Sequence, residues 1–272
     1  MKYSILIIAA VVSFFPFYWM FVSSLKTPQE ILSAEIEWWP HNPRWMNFVE
    51  TLNWLKNPTL GRAFLNSIVV TVCSTLLMLF FSSLTAFVLA IYKFRGEGAI
   101  FKLILSTMMI PAFLGFIPTF MIVKWLGWVN TYWALIIPGY VSAYTVFLLR
   151  QYMITIPHEL LEAARLCGCS EFGLFWRIVL PLSKPALAAM GLISAVFTWN
   201  DLLWPMMVIY EPEMKTLQQA IAMQLRELYG SIPELHLVAA AMTIATIPLI
   251  ILTLVTQKHL IKGFTGASYA KR

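Results

Sequence analysis

Long uninterrupted apolar stretches constrain the fold of this chain more than any other feature of its sequence. Of its 272 residues, 60% are hydrophobic and only 12% are charged, whereas soluble domains carry roughly 25% charged residues. A helix of ~20 apolar residues is long enough to cross the hydrocarbon core of a bilayer. Because the apolar runs are continuous and do not alternate with polar residues, they exclude a membrane β-barrel. We therefore predict an all-α membrane protein whose helices cross the bilayer several times.

Six apolar stretches have the length of a membrane span. We predict spans at about residues 3–25, 64–92, 100–123, 132–149, 185–210 and 236–256. Pro111, Gly115 and Pro118 predict a bend in the third span, which is tolerated where neighbouring helices pair the freed carbonyls. We expect residues 1–272 to form a single transmembrane domain, with a charged loop at 150–184 between the fourth and fifth spans.

Basic residues in the loops predict which side of the membrane the termini occupy. Six spans place both termini on the same side as loop 150–184, and that side carries twelve Lys and Arg residues against seven on the other. Cytoplasmic loops of membrane proteins carry the excess of Lys and Arg. We therefore predict that both termini and this loop are cytosolic. For the same reason, the net charge of +6 reports topology and does not indicate nucleic-acid binding.

The loop 150–184 begins with the pattern of an amphipathic helix. Pro157 suits the first turn of a helix, and residues 158–167 have an apolar side opposite a charged side. The apolar side comprises Leu160, Leu161 and Ala164, and the charged side comprises Glu159, Glu162 and Arg165.

A sharp turn and a second helix are predicted to follow. Gly168 stands where a helix commonly ends in a left-handed residue. Ser170 can cap a helix over residues 171–180, which Pro181 ends or kinks. The result is a hairpin of two helices with a small-residue face that another protein could approach closely.

The spacing of these residues resembles the EAA loop of the membrane subunits of ABC importers, whose signature is E-A-A, three residues, G, nine residues and I-x-L-P. Every position of that signature is present, namely Glu162, Ala163, Ala164, Gly168, Ile178, Leu180 and Pro181. The resemblance implies the type I ABC importer permease fold, in which this loop is a cytosolic coupling helix that docks on a separate ATP-hydrolysing subunit. It implies that the ATPase-coupling residues are Glu162, Ala163, Ala164, Arg165 and Gly168. In this interpretation Glu162 pairs with a basic residue of the ATPase groove, and Gly168 makes the turn.

A second segment resembles the carbohydrate-uptake permeases of the maltose type. Residues 198–205, Thr-Trp-Asn-Asp-Leu-Leu-Trp-Pro, are similar to the family's W-N-[DE]-x-[LF]-x-x-P segment, and residues 257–265 are similar to its C-terminal end. Residues 266–272 depart from its usual G-A-V-K-G close. The resemblance implies the second, six-span permease of a heterodimer in the cytoplasmic (inner) membrane of a bacterium or archaeon.

The same resemblance implies partners and a cargo. The partners would be ABC ATPase subunits, a different permease subunit and an extracytoplasmic solute-binding protein, which we expect to contact residues 217–229. The cargo would be a sugar or oligosaccharide, with glycerol 3-phosphate or another polyol derivative as the alternative. An anionic cargo would favour convergent Arg or Lys side chains, and no predicted span centre carries one. The partner permease could supply that charge.

Asp201 is the only carboxylate deep within a predicted span. Ionisable side chains inside a membrane usually face the bundle interior or an aqueous cavity. Ser194, Thr198 and Asp201 recur on one helix face, which predicts either a polar pathway or a structural pairing of Asp201 with a neighbouring element. An aromatic ring beside polar groups would suit a sugar, because the ring stacks on C–H faces while the polar groups bond to hydroxyls. Our candidate substrate-pathway residues are Asp201, Asn200, Trp199, Thr198, Ser194 and Tyr144.

The sequence lacks the motifs of several enzyme classes. It contains no phosphate-binding G-x-x-x-x-G-K-[ST], no G-x-S-x-G and no H-E-x-x-H. Cys167 and Cys169 lack the additional ligands of a metal site at the usual spacing. We therefore expect no enzymatic activity, metal or cofactor in this chain, with ATP and Mg²⁺ bound by the partner ATPase subunit. A stand-alone secondary transporter is a further alternative, but it predicts several intramembrane ionisable residues and related halves.

Overall fold

Helices make up all the regular secondary structure that we observe, which confirms the predicted all-α class. The computed structural model of the chain describes residues 2–33, 35–55, 58–227 and 234–269. Contacts between residues divide the chain into two compact units, Met1–Ser67 with Ile209–Ile250 and Ile68–Val208 with Ile251–Arg272. The single transmembrane domain over residues 1–272 stays a prediction.

The first unit begins with α1 (Lys2–Ser24), α2 (Pro28–Leu32) and α3 (Met46–Trp54). The carbonyls at the end of a helix have no partner within it, and Asn47 of α3 supplies one for α1. The side-chain amide of Asn47 donates to the carbonyl oxygens of Ser24 and Lys26, at 2.8 and 2.9 Å. Thr27 caps α2 by exchanging hydrogen bonds with Glu30, which is the reciprocal arrangement of a capping box. Polar side chains therefore set where these helices end and begin.

Polar contacts also fix the later helices of the first unit. These elements are the start of α4 (Leu60–Ile91), a short 3₁₀ turn (Pro212–Met214), α14 (Leu217–Glu227) and the first part of α15 (Leu235–Tyr269). The side-chain amide of Asn66 donates to the carbonyl oxygens of Glu213 and Lys215, at 2.8 and 2.9 Å. The Ser67 hydroxyl accepts a hydrogen bond of 2.8 Å from the N–H of Leu217. The beginning of α14 is thus held against α4.

The second unit contains the remaining turns of α4 and α15 and all the helices from α5 to α13. These are α5 (Glu97–Thr107), α6 (Phe116–Trp125), α7 (Tyr132–Ile136), α8 (Ala143–Met153), α9 (His158–Leu166), α10 (Glu171–Leu174), α11 (Leu180–Leu182), α12 (Lys184–Trp199) and α13 (Leu203–Val208). Two 3₁₀ turns, Ala112–Gly115 and Ile137–Gly139, and a π-helix, Phe175–Val179, lie between them.

Within the described residues, three helices are long and apolar enough to cross a membrane, at Tyr3–Ser24, Leu60–Ile91 and Leu235–Gln257. They correspond to the first, second and sixth predicted spans. The count rises to six only if each of three bent helix pairs is taken as one span. The chain therefore has a multi-span helical architecture in which half of the candidate spans are broken.

The third predicted span is two helices and not one bent helix. α5 ends at Thr107, and the segment Ala112–Trp125 leaves it at 95°. The cause is Pro111, which lacks an N–H and whose ring clashes with the carbonyl of Thr107, four positions earlier. The fourth predicted span is also broken, with a bend of 45° between Tyr132–Gly139 and Ala143–Met153.

The fifth predicted span, 185–210, is interrupted in the middle. α12 ends at Trp199 and α13 begins at Leu203. Asp201 lies in the break, and its Oδ1 accepts a hydrogen bond of 3.4 Å from the N–H of Trp204. A side-chain oxygen that accepts from the backbone in this way favours a new helix start over continuation of the old one. Asp201 is therefore not on a continuous helix face with the residues of α12, contrary to our prediction.

A buried apolar cluster joins α9 to the neighbouring helices of the second unit. Its members are Ala86, Phe87, Ala90, Ile91, Leu149, Met153, Ile156, Leu161, Leu174, Phe175, Val179 and Met190. The rings of Phe87 and Phe175 lie 5.2 Å apart between centroids. Because Leu161 of α9 packs in this cluster, α9 cannot move without disturbing α4, α8 and α12.

Candidate functional site

The hairpin predicted in loop 150–184 is formed by α9, a turn and α10. Gly168 has a φ of +80°, the left-handed conformation that favours glycine, as predicted. The Ser170 hydroxyl accepts a hydrogen bond of 3.2 Å from the N–H of Gly173, which confirms the predicted cap of α10. Pro157 immediately precedes α9 with a ψ of 129°, outside the helical region, and so it does not lie in the first turn as predicted.

The second arm of the hairpin runs past Pro181 to Leu182. The residues before Pro181 form the π-helix Phe175–Val179. A π-helix shifts backbone hydrogen bonds away from the usual i→i−4 partners, and proline has no N–H to give to such a partner. The chain bends by 78° only after Leu182, before α12.

The buried side of α9 is narrower than the sequence predicts. Leu161 is fully buried and Ala164 is half-buried, whereas 49% of Leu160 is exposed. Successive helical residues point ~100° apart, and the side of α9 that faces the apolar cluster carries Leu161 and Ala164. Leu160 therefore lies on the outer surface of the hairpin, contrary to our prediction.

Arg165 and Glu171 form an ion pair across the turn of the hairpin. The Arg165 Nε and Nη2 donate to Oε1 and Oε2 of Glu171 at 2.9 and 3.2 Å, and the Tyr92 hydroxyl also donates to Oε2. The hydrogen bonds from Arg165 and then Tyr92 lower the pKa of Glu171 below its ordinary value of 4.5. Neither Tyr92 nor Glu171 was among the predicted site residues, because their meeting depends on packing between α4 and α10. The Arg165 guanidinium is thus engaged inside the hairpin.

The outer surface of the hairpin combines small, charged and apolar groups. Of the predicted coupling residues, Glu162, Ala163, Arg165 and Gly168 are exposed. The same surface exposes Leu160, Leu166, Phe172 and Trp176, and Leu166 is 90% exposed. The rings of Phe172 and Trp176 stack at 6.3 Å. We call these eight residues the hairpin surface.

A cavity of about 320 Å³ lies within the second unit. Its lining residues are Ser74, Ala112, Gly115, Phe116, Thr119, Leu135, Pro138, Gly139, Ser194, Thr198, Asp201 and Trp204. Four of them carry hydroxyl groups and one carries a carboxyl group. The three helix breaks at residues 108–111, 137–142 and 200–202 supply or flank much of this lining. Irregular backbone at membrane depth is tolerated where it lines such a cavity.

The structure brings three of the six predicted pathway residues to this cavity, namely Ser194, Thr198 and Asp201. The other three, Trp199, Asn200 and Tyr144, are not among its lining residues. Trp199 is buried, Asn200 donates a hydrogen bond of 2.8 Å to the carbonyl of Val196, and Tyr144 is exposed in the first turn of α8.

Trp204 forms an aromatic wall of the cavity that sequence reasoning missed. Its Nε1 donates a hydrogen bond of 2.8 Å to the carbonyl of Ala134. The residue four positions after Ala134 is Pro138, which has no N–H to offer that carbonyl. The ring of Phe116 packs on Trp204 at 6.0 Å. The indole therefore satisfies a backbone group that the proline frees, and its ring plane is held in place.

Ser74 was also missed, because the sequence favours a packing role for the small hydroxyl residues of α4. It is 6% exposed, and its Oγ has no hydrogen-bond partner among the described residues. A buried polar atom without a partner costs about 1–3 kcal/mol. Ser74 therefore contributes an unpaired, buried hydroxyl to the wall of the cavity.

Two further predicted features lie partly outside the described residues. The segment expected to contact a binding protein, 217–229, is described as far as Glu227. α15 extends to Tyr269 and so includes residues 257–265, but the side chains from residue 258 onward are outside the description.

One group of possible metal ligands occurs in the described part of the chain, at Glu30, Glu37 and His41, whose ligand atoms lie within 4.8 Å of one another. The Glu30 carboxylate already accepts hydrogen bonds from Thr27 and from the N–H of His41. We assign no metal to this group.

Comparison with known proteins connects these features to a family. Residues 67–266 match the family described as the binding-protein-dependent transport system inner membrane component. The chain is 35% identical to the arabinooligosaccharides transport system permease protein AraQ of Bacillus subtilis, over 92% of this chain and 88% of that protein. It is 36% identical to the melibiose/raffinose/stachyose import permease protein MelC of Bacillus subtilis, over 97% and 95% of the two chains.

Two other relatives have names that mention different cargoes. The sn-glycerol-3-phosphate transport system permease protein UgpE of Escherichia coli is 33% identical, over 98% of this chain and 95% of that protein. The crystal structure of a bacterial ABC transporter involved in the import of the acidic polysaccharide alginate contains a chain with a TM-score of 0.82 and 25% identity, covering 94% of each chain. The relatives are transport permeases, and the predicted type I importer permease fold is confirmed. The chain therefore belongs to the family of inner membrane components of binding-protein-dependent transport systems, the permeases of ABC importers.

Proposed function

We propose that this chain forms, with a second permease subunit, the translocation pathway of an ATP-driven importer for a sugar or oligosaccharide. A solute-binding protein delivers the cargo, and separate subunits bind and hydrolyse ATP with Mg²⁺. The observation that carries the proposal is the hairpin: its outer surface is exposed while Leu161 on its inner side is fully buried among α4, α8 and α12.

The hairpin has the mechanical properties that a coupling element needs. α9 is nine residues long and ends in the left-handed turn at Gly168. A short helix that is packed on one side transmits a displacement because packed interiors have low compressibility. Movement of an ATPase subunit bound to the hairpin surface would therefore tilt the helices that share the apolar cluster, and so change which side of the membrane the cavity opens to.

The cargo class is supported by the named relatives. Two of them are named for oligosaccharide import. The glycerol 3-phosphate relative keeps a polyol derivative as the alternative cargo. A stand-alone secondary transporter is disfavoured, because the family consists of components of multi-subunit systems. We expect no enzymatic activity from this chain.

The orientation of the chain follows from charge. The excess of Lys and Arg on the side of loop 150–184 favours cytosolic termini and a cytosolic hairpin. The binding protein would then approach from the opposite side of the membrane, and we expect it to contact residues 217–229. The partner permease, the ATPase subunits and the surrounding lipid complete the assembly in the inner membrane of a bacterium or archaeon.

The test is substitution of Gly168 in the assembled transporter, reconstituted with its partner permease, ATPase subunits and binding protein. Gly168→Val places a β-branched residue at positive φ, which costs about 1–2 kcal/mol or more. No other atom lies within 4 Å of a Cβ built there, so the effect would come from the backbone and not from a steric clash. We expect a loss of about tenfold in solute-stimulated ATP hydrolysis, the change that 1.4 kcal/mol produces.

Two matched variants serve as controls. Gly168→Asn should retain most activity, because Asn tolerates the left-handed conformation. Gly98→Val adds the same side chain at another open glycine that lacks positive φ, and it should leave coupling intact. If Gly168→Val assembles and couples like the unaltered protein, the proposed role of the hairpin is wrong.

A further inference from the structure

We infer that the cavity lined by Ser74, Asp201 and Trp204 is a solute subsite for an uncharged, hydroxyl-bearing molecule and that it disfavours anions. This inference rests on the proposed function, which it narrows. It decides between a neutral sugar and the glycerol 3-phosphate alternative.

The polar groups of the cavity match the hydroxyls of a neutral solute. Thr119, Ser194 and Thr198 each offer a hydroxyl that can both donate and accept, and Asp201 offers a carboxyl group. None of the lining residues, all of which belong to the described part of the chain, is Lys, Arg or His. The cavity thus has hydrogen-bond partners on several walls and no cation.

Ser74 places a further polar group in the wall of the cavity. More than nine-tenths of this residue is buried, and its Oγ lacks a partner among the described residues although it lies at the cavity wall. Serine on a helix can bond to a carbonyl of the preceding turn, as Ser83 does to Phe80 at 2.9 Å. Ser74 does not, and its hydroxyl is left unpaired within the wall of the cavity.

Asp201 is oriented by its position in the helix break. Its Oδ1 accepts from the N–H of Trp204, and a carboxylate has about four lone-pair sites in total. Bonds from the backbone N–H groups of Leu203 and Trp204 therefore orient the carboxyl group and leave lone-pair sites that can accept hydroxyl hydrogens from a solute.

Trp204 and Phe116 supply the apolar surface that a sugar ring also requires. The indole is anchored through Nε1 to the carbonyl of Ala134, so its nitrogen is engaged and the ring contributes apolar surface to the lining of the cavity. Sugar C–H groups pack on such aromatic faces. The position of Trp204, and not that of Trp199, fits this role.

Two effects would make the binding of an anionic solute in this cavity unfavourable. Removing a charge from water without a paired cation is unfavourable, and an ionised Asp201 would repel a phosphate or carboxylate nearby. A neutral solute meets neither penalty. The subsite therefore separates this chain from a carrier of an acidic cargo, unless the partner permease provides the cation.

The experiment measures the electrostatic preference of the cavity directly. In the assembled, reconstituted transporter with Cys73, Cys167 and Cys169 replaced by serine, Ser74→Cys or Thr198→Cys is treated with two thiol reagents of similar size. One is the cationic trimethylammonium-ethyl methanethiosulfonate and the other is the anionic sulfonato-ethyl methanethiosulfonate. After correction for their rates with a free thiol in solution, we expect the cation to react about tenfold faster, equivalent to 1.4 kcal/mol.

Asp201→Asn in the same background should bring that ratio close to one, whereas it should not alter the ratio at Thr155→Cys, an exposed position outside the cavity. Excess raffinose or arabinotriose, supplied with the binding protein, should slow labelling of at least one cavity cysteine, and glycerol 3-phosphate should not. Equal rates for the two reagents, protection by glycerol 3-phosphate, or no labelling in any nucleotide state would each overturn the inference.

The two proposals fail in different ways. If the ATPase subunits co-purify and hydrolyse ATP in response to solute while the cavity shows no preference for the cation, only the subsite is wrong. If no ATPase subunit associates with the chain, the proposed function itself is wrong.

Discussion

The hydroxyl of Tyr92 donates a hydrogen bond to the carboxylate of Glu171 and so joins the residue that follows α4 to the first turn of α10. The same carboxylate binds Arg165 at the end of α9. Beneath this polar bridge, the rings of Phe87 and Phe175 are in contact. The hairpin is therefore tied to α4 by both polar and apolar contacts, and the Glu171 carboxylate accepts hydrogen bonds from both Tyr92 and Arg165.

Acidification should loosen this bridge. Arg165 and Tyr92 hold the pKa of Glu171 below 4.5 in the folded protein, so these bonds stabilise the hairpin fully at pH values above 4.5. That stabilisation is lost as the pH falls through the lowered pKa. The protection factors of the α9 and α10 amides, which are corrected for the pH dependence of intrinsic exchange, should fall over this acidic range. In Glu171→Gln the protection factors of these amides should already be lower at neutral pH and should not change further as the pH falls. If the variant keeps the same protection-versus-pH profile as the unaltered protein, other groups cause the effect.

Substitutions of the two adjacent leucines of α9 should affect different properties of the protein. Leu161→Ala removes a fully buried side chain from the apolar cluster and should lower the free energy of unfolding by about 2–5 kcal/mol. Leu160→Ala alters an exposed position and should change stability by less than ~0.5 kcal/mol, yet weaken association with the ATPase subunit. Thermal unfolding of the purified chain and co-purification of the ATPase measure the two effects. Similar losses of stability in both variants would contradict the observed orientation of α9.

Arg150 should be needed for the junction of α4, α5 and α8. Its Nη2 lies 2.8 Å from Glu97 Oε1, and its Nε donates to the carbonyl of Leu89 at 3.0 Å. Both charged side chains are largely buried, at 15% and 13% exposure. Arg150→Ala should cost about 3 kcal/mol, the low end for breaking a buried pair, because Lys93 remains 3.9 Å from Glu97.

The matched variants for this junction are Arg150→Lys, Arg150→Met, Glu97→Gln and the double substitution Arg150→Met with Glu97→Gln. Lysine cannot make both contacts of the planar guanidinium and should recover little stability. The double variant should be more stable than Arg150→Ala, since no buried charge is left unpaired. Additive losses in a double-mutant cycle measured by chemical denaturation would show that the two groups do not interact.

Local chemistry explains the parts of the fold that could be predicted. The turn at Gly168 and the cap at Ser170 depend on residues within a few positions of each other. The break at Pro111 has an equally local cause, although its sharpness was underestimated from the sequence. Backbone preferences of glycine, serine and proline act over a single turn, so a sequence pattern is sufficient to find them.

The cavity could be predicted only in part. Ser194 and Thr198 were found because they share a face of α12, and Asp201 because a carboxylate stood out in an apolar stretch. Ser74 and Trp204 were missed. Their roles depend on neighbours far along the chain, such as Ala134 for the Trp204 indole, and no periodic pattern encodes such a meeting.

The amino-acid sequence by itself determined that this chain is a helical membrane protein with a hairpin of two helices in loop 150–184, because the length of apolar runs and the spacing of turn residues are properties of short segments. The tertiary structure alone decided which side chains face inward. Leu161 is buried while Leu160 is exposed, and Trp204 lines the cavity while Trp199 does not. The reason is geometric. Side chains project from a helix in all directions, and only its packing against distant segments of the chain determines which of them are buried.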